Sequence, residues 1–230
     1  MVKSKLIVCR VRFRPMIANA RVRQIAGRLV DQRSHRVVFL SHCLLNANTR
    51  YLGGAACGGA NRELVQQCLD ANIGIVQLPC PEEGAWGGVL KRRMLAVYGR
   101  PAFEALVPVA EAYTRRVYRR LARKVVAQLA DCLASGIEVI AIVGIDGSPS
   151  CGARVTIDLG GAARAMAATQ VDSLTTARQN EIVREHARPG RGLFIDELER
   201  AMRRRGVRVP VLAHDLFAEL DGKPSTLRLC

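Results

Sequence analysis

The chain predicts an α/β fold: an open, mostly parallel, Rossmann-like sheet of about four to five strands with helices on both faces. Two observations carry this. Four short apolar runs, Val37 to Leu40, Ile73 to Leu78, Ile137 to Ile145 and Val207 to Ala213, are continuous rather than alternating, as in strands covered on both sides. Helical patterns separate them, and strands alternating with helices imply parallel crossovers with all strand ends along one rim. Ligands of such sheets bind at that rim.

Taken in order, the first 35 residues form a basic extension with nine Lys or Arg against Asp31 alone. Cys9, Val11 and Phe13 alternate as in a strand, and Ala18, Val22, Ile25 and Leu29 recur at helical spacing. Three readings stay open for this segment: a cationic arm for nucleic acid, an Arg-rich transit peptide, or residues upstream of the true start. Residues 36–230 are expected to form a single domain. In Arg62 to Asp70, Leu64, Cys68 and Leu69 are assigned to one face. A much longer helix begins near Pro101, where Val109, Tyr113, Val117, Leu121, Val125, Leu129 and Leu133 step by four and Gly136 closes the end. Its other side carries Arg115, Arg116, Arg119, Arg120, Arg123 and Lys124, a solvated face or a phosphate-binding one. The Ala-rich stretch from Arg154 to Arg191 reads as an insertion of modest order, a candidate lid. Leu193 to Arg205 reads as a helix closed by Gly206, and Pro210 places the last strand at a sheet edge.

Composition narrows the function classes. Of 230 residues, 49% are hydrophobic and 24% charged, enough for a buried core. No apolar run reaches the ~18 residues of a membrane span, and no export signal is visible, so a soluble cytoplasmic protein is expected. The formal charge of +15 suits nucleic acid, yet 30 of the 35 basic residues are arginines beside abundant Ala and Gly, a bias that genome composition also produces. The eight cysteines are too dispersed for a disulfide scaffold.

Three cysteines fall just past the ends of successive predicted strands. Cys43 lies in Ser41-His42-Cys43-Leu44-Leu45-Asn46, Cys80 in Leu78-Pro79-Cys80-Pro81-Glu82-Glu83, and Cys151 in Gly147-Ser148-Pro149-Ser150-Cys151-Gly152. Thiols from separate loops on one rim suit a soft metal or cluster. Their separations of 37 and 71 residues match neither a zinc finger nor the close-spaced ferredoxin run. Cys57 is a loop thiol or a candidate fourth ligand, His42 reads as a structural histidine, Asp215 as a substrate contact or a cap, and Cys9, Cys68, Cys132 and Cys230 as core or terminal thiols.

From about Val37 to Ala213 the chain resembles the 2-thiouracil desulfurase family. The resemblance rests on Cys43-Leu44-Leu45-Asn46 with Arg50-Tyr51-Leu52-Gly53-Gly54, then Cys80-Pro81-Glu82, then Ser148-Pro149-Ser150-Cys151-Gly152, in that order. Gly192 to Leu198 is similar to that family's closing helix. The resemblance implies a 4Fe-4S cluster held by Cys43, Cys80 and Cys151 with one iron lacking a protein ligand. It also implies non-redox removal of sulfur, as sulfide, from a small thiolated pyrimidine, with Glu82 and Ser148 facing the substrate. The segment Glu83 to Gly88 departs from shorter members, so the pocket is expected to be reshaped around Trp86. Two alternatives accompany this reading: cluster-dependent sulfur chemistry on a base within tRNA, and a non-enzymatic metal-stabilised binding module. The sequence leaves the oligomeric state open.

Overall fold

The computed structural model describes residues 20–96 and 103–229. The expected strand around Val11, together with Cys9, Ala18, Pro101 and Cys230, lies outside them. The chain runs through α1 (Ala20–Arg28), β1 (Arg36–Leu40), α2 (His42–Leu45), a 3₁₀ turn at Ala47–Thr49, α3 (Arg62–Asp70), β2 (Gly74–Gln77), α4 (Pro81–Trp86), α5 (Arg92–Leu95) and α6 (Phe103–Ala134). It continues through β3 (Glu138–Asp146), β4 (Val155–Ile157), α7 (Leu159–Ala168), α8 (Thr176–Glu185), β5 (Ala187–Pro189), α9 (Leu193–Arg205), β6 (Val211–Asp215) and α10 (Leu216–Leu220).

The fold is α/β, with four parallel strands in the order β2-β1-β3-β6 and helices around them. Both faces of the sheet are covered, which is why its strands read as unbroken apolar runs. On one face Phe39, Val139 and Ile142 pack with Tyr118, Val125 and Leu129 of α6 and with Phe194, Leu198 and Met202 of α9. On the other, Val38, Leu40, Ala141, Val143 and Ile145 meet Leu44 of α2, Leu64 and Cys68 of α3, and Leu216 of α10. Val139 and Ile142 share a face although three apart, because the β1/β3 register slips between Val37 and Phe39. As Pro210 predicts, β6 is an edge strand; the proline itself precedes it, and its carbonyl accepts from Ile142 N at 2.8 Å.

Three details differ from the sequence reading. The step-of-four ladder on α6 does not stay on one face, since four residues turn ~400° and the line drifts ~40° at each step. Val109 and Tyr113 are exposed, and the buried line is Thr114, Tyr118, Ala122, Val125, Val126 and Leu129. Leu69 likewise leaves the Leu64–Cys68 face and is exposed. Residues 154–191, expected to be of modest order, form regular structure: β4 pairs antiparallel with β5, and Ile157, Ala162, Ile182 and Val183 build a small core with α7 and α8. Small residues let these elements approach closely, so a core forms with few large side chains. Val22 and Ile25 of α1, and Leu29 just past its end, are exposed. Among the described residues no helix is long and apolar enough to cross a membrane.

Candidate active-site cavity at the sheet rim

Each candidate cysteine is set by local rules at a strand's carboxyl end. Cys43 follows β1 in the single turn of α2, whose entry is pinned by Ser41: its N and Oγ both donate to Val143 O, at 3.0 and 2.9 Å. Cys80 follows β2 as the N-cap of α4, its Sγ accepting from Glu83 N at 3.4 Å, with Pro81 at the first helical position where no N–H is needed. Cys151 follows β3 in a turn held from two sides. The Ser148 hydroxyl accepts from Ser150 N and Cys151 N at 3.3 and 3.0 Å. The Asp146 carboxylate accepts from Ala153 N, Arg154 N and Val155 N at 2.8–3.1 Å and pairs with Arg154 Nε. Gly152 is required there, since a Cβ would collide with the carbonyls of Val155 and Ser148.

The three turns open onto one cavity of about 320 Å³, whose lining includes Cys43, Cys80, Cys151, Glu82, Ser148 and His42. All three thiols are unpaired. They also feel one another: burial first, then the charges of Cys43, Glu82 and Cys80, push the Cys151 thiol well up. Burial pushes Cys43 up to about 12, with the Arg50 guanidinium working against it, and burial then Glu82 raise Cys80. Without a cationic guest, these sulfurs therefore stay protonated at neutral pH.

Two buried cations flank the thiols. The Arg50 side chain is 3% exposed; its Nη1 contacts Glu219 Oε2 at 2.7 Å and Gly54 O at 3.3 Å. Glu219 also takes His214 Nε2 at 3.0 Å and Asn61 Nδ2 at 3.1 Å, and Asn61 in turn caps α3 through Leu64 N. Burial alone would raise the Glu219 carboxyl; the hydrogen bonds from His214 and Arg50 outweigh it and bring it to about 2. Lys91 holds a left-handed backbone (φ 51°), rare for a side-chain-bearing residue, which turns its ammonium inward to Thr49 O and to 3.7 Å from Glu82 Oε2.

Glu82 and Ser148 line this cavity, and Trp86 is part of its lining, its Nε1 donating to Thr114 Oγ1 at 3.1 Å. Cys57 does not line the cavity. Asp215 is a cap: its carboxylate accepts from Phe217 N and Ala218 N at 2.9 and 3.1 Å. Cys68 is a core thiol, as expected. Lys91, Asp146 and Glu219 carry no signal in the sequence beyond Lys91 being one of five lysines among 30 arginines.

Among the described residues, no three His, Cys, Asp or Glu side chains stand close enough to bind one metal ion. A single zinc would draw sulfurs to within ~3.8 Å of each other. The three thiols line one cavity, and thiolates are the donors that soft metals and iron–sulfur clusters take.

The chain matches no protein-family model and no solved structure. Over 50 residues it is 42% identical to a protein of Methanocaldococcus jannaschii described as uncharacterized; the match covers 22% of this chain and 32% of that protein.

Proposed function

We propose that this chain is an iron–sulfur-dependent desulfurase that converts a thiocarbonyl heterocycle such as 2-thiouracil to its oxo form. Carbon exchanges its double bond to sulfur for one to water's oxygen, and sulfide and protons leave, with no net oxidation. One observation supports this above all: three unpaired thiols, a carboxylate and a hydroxyl from three strand ends line one cavity. Cys43, Cys80 and Cys151 would hold a 4Fe-4S cluster, which when bound supplies a Lewis acid for the substrate sulfur.

The remaining chemistry falls to this chain's own groups. Glu82, with the Lys91 ammonium 3.7 Å away, takes a proton from the attacking water and returns it to the departing sulfur. Ser148 spends its acceptor capacity on the Ser150 and Cys151 amides, leaving its O–H free to donate to a ring oxygen or nitrogen. The test is anaerobic purification followed by sulfide release from 2-thiouracil. Brown protein with about four iron and four sulfide per chain is expected, and Glu82→Gln should keep the iron while turnover falls at least ~100-fold. Colourless protein, or unchanged turnover in Glu82→Gln, overturns the reading.

A second reading, a thiolated base within tRNA, is favoured by α6. Between Glu111 and Asp131 this helix carries six basic and no acidic residues, with like charges repeatedly four apart, an arrangement that destabilises an isolated helix. Its Thr114 end lines the cavity. Steep weakening of tRNA binding with salt would support this reading.

A further inference from the structure

The cavity has two chemically distinct sides. Its floor carries the thiols, Glu82 and Ser148. Another part of the lining is α7, which contributes Leu159, Ala162, Ala163, Met166 and Ala167, none with a hydrogen-bonding group on its side chain. Ile157 of β4 and Val183 of α8 add to this apolar lining. Trp86, also in the lining, has committed its N–H to Thr114, so its ring offers only apolar surface.

Helix packing explains part of α7: the side chain that Gly161 lacks would meet Asp158 and His186. It does not explain a void bordered by five apolar α7 residues. A bare thiopyrimidine is polar around most of its ring edge, and against this wall those groups would lose water without gaining partners. An apolar group attached to the ring gains from the same burial. At about 320 Å³ the cavity lies at the small end of ligand sites, large enough for a single substituted ring.

We infer that the substrate is a thiocarbonyl heterocycle bearing an apolar substituent, which rests on α7 beside Ala163 and Ala167 while the sulfur faces the thiols. This rests on the desulfurase reading for the sulfur end alone. The chain has one tryptophan, Trp86, so its emission reports on occupancy of the cavity.

The experiment separates the two claims. Full-length protein, purified anaerobically, is titrated by calorimetry and Trp86 fluorescence with 2-thiouracil, uracil, 6-propyl-2-thiouracil and 6-propyluracil. The propyl group should tighten binding at least about tenfold within each pair and shift Trp86 emission. Ala163→Leu should abolish that gain, so that the two members of each pair bind alike. Ala167→Leu, at a half-buried position where misfolding is less of a risk, should do the same, with circular dichroism confirming the fold of both. A propyl gain under about twofold, or one that survives in both folded variants, overturns the inference. A propyl gain without sulfide release from either thiouracil upholds the apolar-substituent claim and removes the desulfurase reading; sulfide release with no propyl gain does the reverse. Failure of all four ligands to bind overturns both.

Discussion

The floor and the wall of the cavity are built in opposite ways. The floor collects Cys43, Cys80 and Cys151 from three strand ends, each thiol fixed by its own turn and backed by buried charge. The wall comes largely from the contiguous stretch 157–183 and presents mainly methyl and methylene groups. Chemistry at the floor depends on which atom stands at each place. Along the wall, only bulk counts. The two should therefore respond differently to substitution.

Replacing any one of Cys43, Cys80 or Cys151 by alanine should have the largest effect: iron below about one per chain and no sulfide release. Cys132→Ala, half-buried behind the α6–α9 core, should keep the full iron content, measured by iron assay and visible absorbance. Loss of iron in Cys132→Ala alone would break the comparison.

Next comes Glu219→Gln, which leaves Arg50 buried without its counter-charge and should cost about 3 kcal/mol by chemical denaturation. The pH dependence has a definite sign. The Glu219 carboxyl sits at about 2 in the folded chain against ~4.3 unfolded, so its contribution is complete above ~4.3 and disappears as pH falls toward 2. The stability gap between wild type and Glu219→Gln should narrow across that window. A constant gap would remove Glu219 from the account.

Asp146→Ala deletes the acceptor for three backbone amides of the Cys151 turn and should cost about 2 kcal/mol, with weaker iron retention than in a surface variant of equal stability. The smallest effect belongs to the wall. Ala167→Leu should stay within about 0.5 kcal/mol of wild type in thermal unfolding, whatever it does to ligand preference.

Much of the fold is legible in the sequence. Val37 to Leu40 and Ile137 to Ile145 announced strands because two-sided burial leaves no polar alternation, and the rim position of Cys43, Cys80 and Cys151 followed from parallel connectivity. What could not be read needed tertiary partners. Arg50 stands in a quotable motif, yet its anchor, Glu219, arrives 169 residues later. Lys91 depends on a backbone conformation that its neighbours do not signal. The order in residues 154–191 was missed because alanines and glycines make a core by closeness rather than by size, and the α6 ladder misled because four residues overshoot a turn.

The Arg50–Glu219–His214–Asn61 relay also has a temporal side. Three of the four sheet strands and all three thiols precede β6 and α10 in the chain, so the carboxylate that answers the Arg50 guanidinium comes from a later segment than any of the sulfurs. The charge network therefore closes only once β6 and α10 have docked on the sheet, which makes the setting of the three thiols depend on a strand that follows all of them.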